Sequence, residues 1–245
     1  MTPLVMVHGF LGGSDQWHLQ GSLFKKRQVV CVDLPGFGKN AGMPAIDRIE
    51  GFSEWVLAEL ASQGIGRFDL LGHSMGGMIV QEMVRMAPNS VRRLVLYGTG
   101  AVGELPGRFE PISTSIERLE TEGAMATTRR IAATWFREFE KSDEYPGCAR
   151  IAEQATLPAM IAGLQAMQHW SGEAALAKIA SPTLVCWGDL DRSYVWSQIE
   201  QLWRTIPVCN LAVAPNCAHA VHSEQPNLFN SLINSFLEAK SLLAL

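Results

Sequence analysis

With 245 residues, 47% of them hydrophobic and 18% charged, the chain has the composition of a folded protein with a sizeable core, which excludes a disordered class. A net charge of −4, with no cluster of more than three lysines and arginines, leaves no basic footprint for nucleic acid. No apolar run approaches the roughly 18 residues that a membrane span needs. Five scattered cysteines, odd in number and without C-x-x-C spacing, predict reduced thiols. An N-terminus that passes straight into a strand predicts a cytoplasmic address.

Apolar, β-rich runs near residues 3–7, 28–33, 67–72 and 92–97 predict strands. Between them Phe52, Trp55, Val56 and Leu60 recur at helical spacing, as do Met75, Ile79, Met83 and Met86. Continuous apolar strands joined by helices imply a parallel sheet covered on both faces. The second of these helices is apolar nearly all round and belongs in the middle of the protein. From residue 101 to 180 only helical patterns follow, with expected breaks at Gly123, near Tyr145-Pro146-Gly147 and at Ser171-Gly172. That stretch is too long for a simple connection, so it reads as an inserted helical cap. The core would then comprise residues 1–100 and 181–245. Strand patterns resume at 182–187 and 210–214, separated by a helix around Val195, Ile199, Leu202 and Trp203. A closing helix carries Leu228, Phe229, Leu232, Ile233, Phe236 and Leu237. The expectation is an α/β fold with about six mostly parallel strands.

The motif Gly72-His73-Ser74-Met75-Gly76 lies between the third strand and the second helical run. In that strand–turn–helix context G-x-S-x-G forms a nucleophile elbow, whose serine takes φ > 0. Two glycines remove side chains that would collide across the turn. The next residue, Met75, opens a helix and can offer its N–H to a developing oxyanion. A serine hydroxyl needs an imidazole to take its proton, and the imidazole needs a carboxylate to orient it. Gly188-Asp189-Leu190-Asp191 follows the fifth strand and Asn216-Cys217-Ala218-His219 the sixth, both at the carboxyl edge where Ser74 emerges. The chain order is therefore Ser…Asp…His. His8-Gly9-Phe10-Leu11-Gly12-Gly13 offers a second oxyanion donor at the Phe10 N–H. His8 and Asp33 are expected to brace loops rather than to react. Six histidines show no zinc spacing, so neither metal nor cofactor is expected.

Through residues 8–13, 33–38, 72–77, 188–191 and 219–226 the chain resembles α/β-hydrolase-fold serine hydrolases over nearly its full length. The family usually places a β-hairpin before the strand feeding the H-G loop, whereas this chain starts on that strand. The resemblance implies a catalytic Ser74, with Asp191 rather than Asp189 as the acid and His219 rather than His222 as the base. It implies an oxyanion hole at Phe10 and Met75, and a pocket supplied by the cap, for which Trp135, Met160, Met167 and Trp170 are the candidates. Arg129 or Arg130 could clamp a substrate carboxylate, although solvated helix surface is the simpler reading. The implied activity is hydrolysis of a small-molecule ester or lactone with a small to medium, largely apolar acyl group, by a monomer or homodimer. The same layout also serves triad-dependent carbon–carbon hydrolases and lyases of the dienone-acid and menaquinone-pathway types, and non-catalytic ligand receptors.

Overall fold

A computed structural model describes residues 1–239 apart from residues 26, 105 and 106; residues 240–245, the end of the expected core segment, lie outside the described residues. Strands β1 (Leu4–Val7), β2 (Val29–Val32), β3 (Phe68–His73), β4 (Val91–Tyr97), β5 (Thr183–Gly188) and β6 (Cys209–Ala214) form one sheet in the order β2-β1-β3-β4-β5-β6. Every neighbouring pair is parallel. The helices in chain order are α1 (Gly21–Phe24), α2 (Ile49–Ser62), α3 (Met75–Met86), α4 (Ile112–Thr121), α5 (Ala124–Ala133), α6 (Tyr145–Ala152), α7 (Leu157–Gln168), α8 (Trp196–Thr205), α9 (Val221–Glu224) and α10 (Pro226–Glu238).

The two-residue period of the strands explains the layering. Val5, Val7, Leu70, Leu94, Leu96 and Val185 project to one side, where they pack with apolar residues of α2, α3 and α8. Their neighbours Leu4, Met6, Leu71, Val95, Tyr97, Leu184 and Cys186 project to the other side, against Leu23 of α1 and Phe229, Ile233, Phe236 and Leu237 of α10. With both faces covered, β1 and β3 are buried at every position, as a central parallel strand requires. Residues 75–84 of α3 are all buried, in keeping with its apolar circumference. No helix among the described residues is long and apolar enough to cross a membrane.

The chain leaves β1 for β2 on one side and later returns to place β3 on the other. The switch point between β1 and β3 opens a crevice at the carboxyl edge of the sheet, the usual place for a site in such folds. Helices α4–α7 all fall between β4 and β5, where the helical insertion was expected. Gly123, at φ 88°, separates α4 from α5 as expected. The break expected near Tyr145-Pro146-Gly147 falls just before α6, which these three residues open. Proline in the first helical turn has no N–H to leave unsatisfied, so Pro146 is compatible with a start.

Candidate active site

Ser74 is the turn between β3 and α3, at φ 57° and ψ −122°. That conformation is open to few residues with a side chain and stores strain of order 1–3 kcal/mol. Its neighbours hold it there: Ser74 N donates to Tyr97 O at 2.9 Å, and Thr99 Oγ1 donates to Ser74 O at 2.8 Å. The flanking glycines are required by contact. A Cβ on Gly72 would stand 2.3 Å from the Gly76 carbonyl oxygen, and one on Gly76 would stand 2.4 Å from the carbonyl oxygens of Val7 and His8. The loop after β1 lies directly against the serine, since a Cβ on Gly9 would meet Ser74 Cβ at 2.8 Å.

His219 Nδ1 and Asp191 Oδ2 are 2.8 Å apart, and both residues are buried. The bond is donated by Nδ1–H to the carboxylate, which leaves Nε2 as the basic nitrogen. Asp191 is held in turn, its Oδ1 accepting from Ser193 N at 2.7 Å and Tyr194 N at 3.2 Å. Asp189 braces the neighbouring loop by accepting from Cys217 N at 3.3 Å. Glu224, five residues beyond His219, accepts from Ala218 N at 2.6 Å and from Arg137 N at 2.6 Å. It thereby shapes the His219 loop and fastens the helical insertion to it.

Behind His219 lies a buried cluster of His73, His222, Tyr97 and Trp17. The His219 carbonyl accepts from Tyr97 Oη at 2.9 Å and from His73 Nε2 at 3.2 Å. Gln16 Nε2 donates to His73 Nδ1 at 3.4 Å, consistent with the Nε2–H tautomer of that ring. Because Tyr97 spends its one hydrogen on His219, His222 Nδ1–H donates to the Tyr97 oxygen at 2.9 Å. His222 thus positions the loop and does not share the bond to Asp191. His8 plays the structural part expected of it: its Nδ1–H donates to Gly9 O at 2.8 Å and its Nε2 accepts from Leu34 N at 3.0 Å. Asp33 likewise braces loops, accepting from Ser14 N and Lys39 N.

Above Ser74 the insertion leaves a cavity of about 20 Å³, lined among others by Phe10, Ile131, Trp135, Met167 and Tyr194. That is room for about one water molecule. Trp135 and Met167 therefore stand where the sequence reading places them. Met160 and Trp170 do not line this cavity. Met160 is buried in the interior of the insertion, its sulfur accepting from Thr128 Oγ1, and Trp170 Nε1 donates to Glu82 Oε1 of α3 at 3.0 Å. Both side chains are large and apolar, but Met160 on α7 and Trp170 just beyond its end turn to other neighbours.

The sequence pattern described as the alpha/beta hydrolase family matches residues 4–232. The chain belongs to that family. This alpha/beta hydrolase is 28% identical over 243 residues to the dihydrolipoyllysine-residue acetyltransferase component of the acetoin cleaving system of Pseudomonas putida, covering 96% of the chain but only 63% of that relative's length. It is 27% identical over 250 residues to a 2-hydroxy-6-oxononadienedioate/2-hydroxy-6-oxononatrienedioate hydrolase of Burkholderia vietnamiensis, covering 96% of the chain and 86% of the relative. A malate-bound thermophilic esterase from Thermogutta terrifontis superposes with a TM-score of 0.87 at 25% identity, over 97% of the chain and 89% of that structure.

Within this alpha/beta hydrolase the two arginines of α5 singled out by sequence are already engaged. Arg129 pairs with Glu153, and Arg130 pairs with Glu110 at 2.7 Å. Neither lines the Ser74 cavity. Sequence reading missed Tyr194 and Arg108, which do. Tyr194 stacks on the His219 ring at 5.7 Å and 16°, and its buried hydroxyl lies beside Ser74 and Thr99 without a well-formed hydrogen bond. Burial raises its pKa, so the phenol stays protonated at neutral pH. The signal available in sequence was only its place three residues after Asp191. Among the described residues no group of three or more His, Cys, Asp or Glu side chains is arranged to hold a metal ion.

Three buried histidines, His8, His73 and His222, make stability depend on pH. Burial lowers the pKa of His8 to about 4 and of His222 to about 3, and holds His73 well below the ordinary range. Unfolded histidines titrate near 6.5. A histidine with a depressed folded pKa contributes stability above the unfolded value, and that contribution is lost as pH falls towards the folded value. His8 and His222 should each cost on the order of 3 kcal/mol by about pH 4. The expected result is a urea midpoint that falls between pH 7 and pH 5.5, before carboxylates titrate, with a slope approaching three protons near pH 5. A flat profile across pH 7 to 5.5 would contradict this account.

Proposed function

We propose that this alpha/beta hydrolase is a serine-dependent hydrolase of carboxylic esters or lactones that forms an acyl-enzyme on Ser74. The observation that carries the reading is the buried 2.8 Å bond from His219 Nδ1 to Asp191 Oδ2, beside a serine held at φ 57°. His219 Nε2 takes the Ser74 proton as Oγ attacks the substrate carbonyl. The tetrahedral oxyanion is met by the N–H groups of Phe10 and Met75. Protonated His219 then gives its proton to the departing alkoxide, and a water repeats the cycle on the acyl group. The segment 101–180 serves as a lid, which must shift to admit a substrate into so small a cavity. Phe10, Ile131, Trp135 and Met167 supply an apolar surface for a small to medium acyl group. Similarity to the Thermogutta esterase supports the ester reading.

A fluorophosphonate probe tests this directly: one equivalent is expected to attach, with the mass shift on the peptide containing Ser74. A folded protein that takes up no probe would overturn the mechanism. The second reading, hydrolysis of a carbon–carbon bond, is favoured by similarity to the Burkholderia dioate hydrolase. Turnover of a vinylogous diketone acid, with none of 4-nitrophenyl or lactone substrates, would select it.

A further inference from the structure

Arg108 contributes the one charged side chain in the wall of the Ser74 cavity, among the described residues. Its setting differs from that of the cap arginines. Nη1 donates to Glu110 O at 2.7 Å and to Ser115 Oγ at 3.0 Å, and the guanidinium lies 4.2 Å over the Phe109 ring. Phe109 N donates to Arg192 O at 2.9 Å, which ties the base of this side chain to the loop carrying Asp191. The guanidinium is thus held by one nitrogen and one stacked ring. Its Nε and Nη2 donate to no acceptor among the described residues. The nearest carboxylate, Glu110, is taken by Arg130 and by the Ser115 hydroxyl. Burial pulls the Arg108 pKa down to about 10, which leaves it charged at neutral pH.

A largely buried cation whose nearest carboxylate is engaged by another arginine is costly, and an apolar wall would close this cavity without that cost. Arginine presents its donors as a rigid planar fork that matches a carboxylate. With Nη1 already fixed, little side-chain freedom remains to be lost on binding. The buried, unpartnered Tyr194 hydroxyl lines the same cavity and supplies a further donor.

We propose that Arg108 is a specificity-determining residue that binds a carboxylate on the substrate, so that the site takes a short acyl group ending in an anionic carboxylate. The proposal rests on Ser74 being the nucleophile, and it names the substrate class of that site. Ser74 and Arg108 line one cavity of about 20 Å³, which favours a short chain between the reacting carbonyl and the charge. A single guanidinium matches a monoanion. A phosphate monoester, carrying about −1.5 to −2, would leave charge uncompensated in an apolar enclosure.

The test compares mono(4-nitrophenyl) glutarate with 4-nitrophenyl valerate, which have the same acyl length. Wild-type protein is expected to favour the anionic ester in kcat/KM. In Arg108→Met that preference should fall by about 10- to 100-fold, chiefly through KM, with Arg108→Lys intermediate. A preference for the valerate in wild type, or a ratio unchanged in Arg108→Met, would overturn the proposal. A second measurement needs no turnover. Glutarate titrated calorimetrically into Ser74→Ala protein is expected to bind, and to bind about 10- to 100-fold more weakly when Arg108→Met is added. Equal binding to both proteins, no binding to either, or tighter binding of inorganic phosphate would refute the carboxylate site. Failure of fluorophosphonate labelling, with glutarate binding still dependent on Arg108, would instead refute the nucleophile.

Discussion

Ser74→Ala is expected to lower ester turnover by about 10⁶-fold and to abolish fluorophosphonate labelling, because every covalent step of the proposed mechanism passes through its hydroxyl. The fold should survive. Alanine keeps the Cβ, so the strained backbone at φ 57° is neither relieved nor worsened, and the bonds that hold it use Ser74 N and O rather than Oγ. Ser74→Gly separates chemistry from strain. It should be equally inactive but more stable than Ser74→Ala by roughly 1–2 kcal/mol, since glycine adopts positive φ without a Cβ penalty. Thermal unfolding of the two variants side by side checks this. Turnover retained within tenfold of wild type in Ser74→Ala would place the nucleophile elsewhere.

Asp191→Asn should cost about 10⁴-fold in kcat with little change in the fold. The reason lies in how the carboxylate is held. Ser193 N and Tyr194 N both donate to Oδ1, so an asparagine must present its carbonyl oxygen to them and its NH₂ to His219. Facing a donor, His219 Nδ1 becomes the acceptor and the proton moves to Nε2. The imidazole is then the wrong tautomer to accept a proton from Ser74. Asp189→Asn is the control, because Asp189 accepts only from Cys217 N at 3.3 Å among the described residues, and its loss should change kcat by a few-fold at most. The reverse ranking of the two variants would transfer the acid role to Asp189.

Much of the core was legible because its signals are local. An apolar run of the right length, followed by glycine-rich turn chemistry and then helical periodicity, specifies strand, loop and helix without reference to distant residues. That is why all six strands and the elbow appear where the sequence places them. The choice of Asp191 over Asp189 and of His219 over His222 was of another kind. It followed from resemblance, and the hydrogen bonds to Asp191, Cys217 and Tyr97 supply its physical content.

The insertion was legible as helical but not as a lining. Its helices are short, and which face looks at the cavity depends on how they pack on one another and on the sheet. Trp135 and Met167 reach the cavity, whereas Met160 and Trp170, no less apolar, satisfy other contacts. The arginines show the same limit. Arg129 and Arg130 stand out as a charged pair in sequence, yet each meets a glutamate. Arg108 sits inconspicuously at the start of the insertion and reaches the cavity beside Ser74.

The sequence by itself determined the parallel α/β core, the strained serine between strand and helix, and the order of Ser74, Asp191 and His219 at the strand ends, because each is set by short-range pattern and turn chemistry. Only the tertiary structure decided what shares a cavity with Ser74. The order in which strands pair brings the ends of β1, β3, β5 and β6 to one edge, and the packing of the insertion across that edge turns Arg108 and Tyr194 inward. Side chains far apart in the chain become neighbours there through burial and docking, which no local spacing encodes.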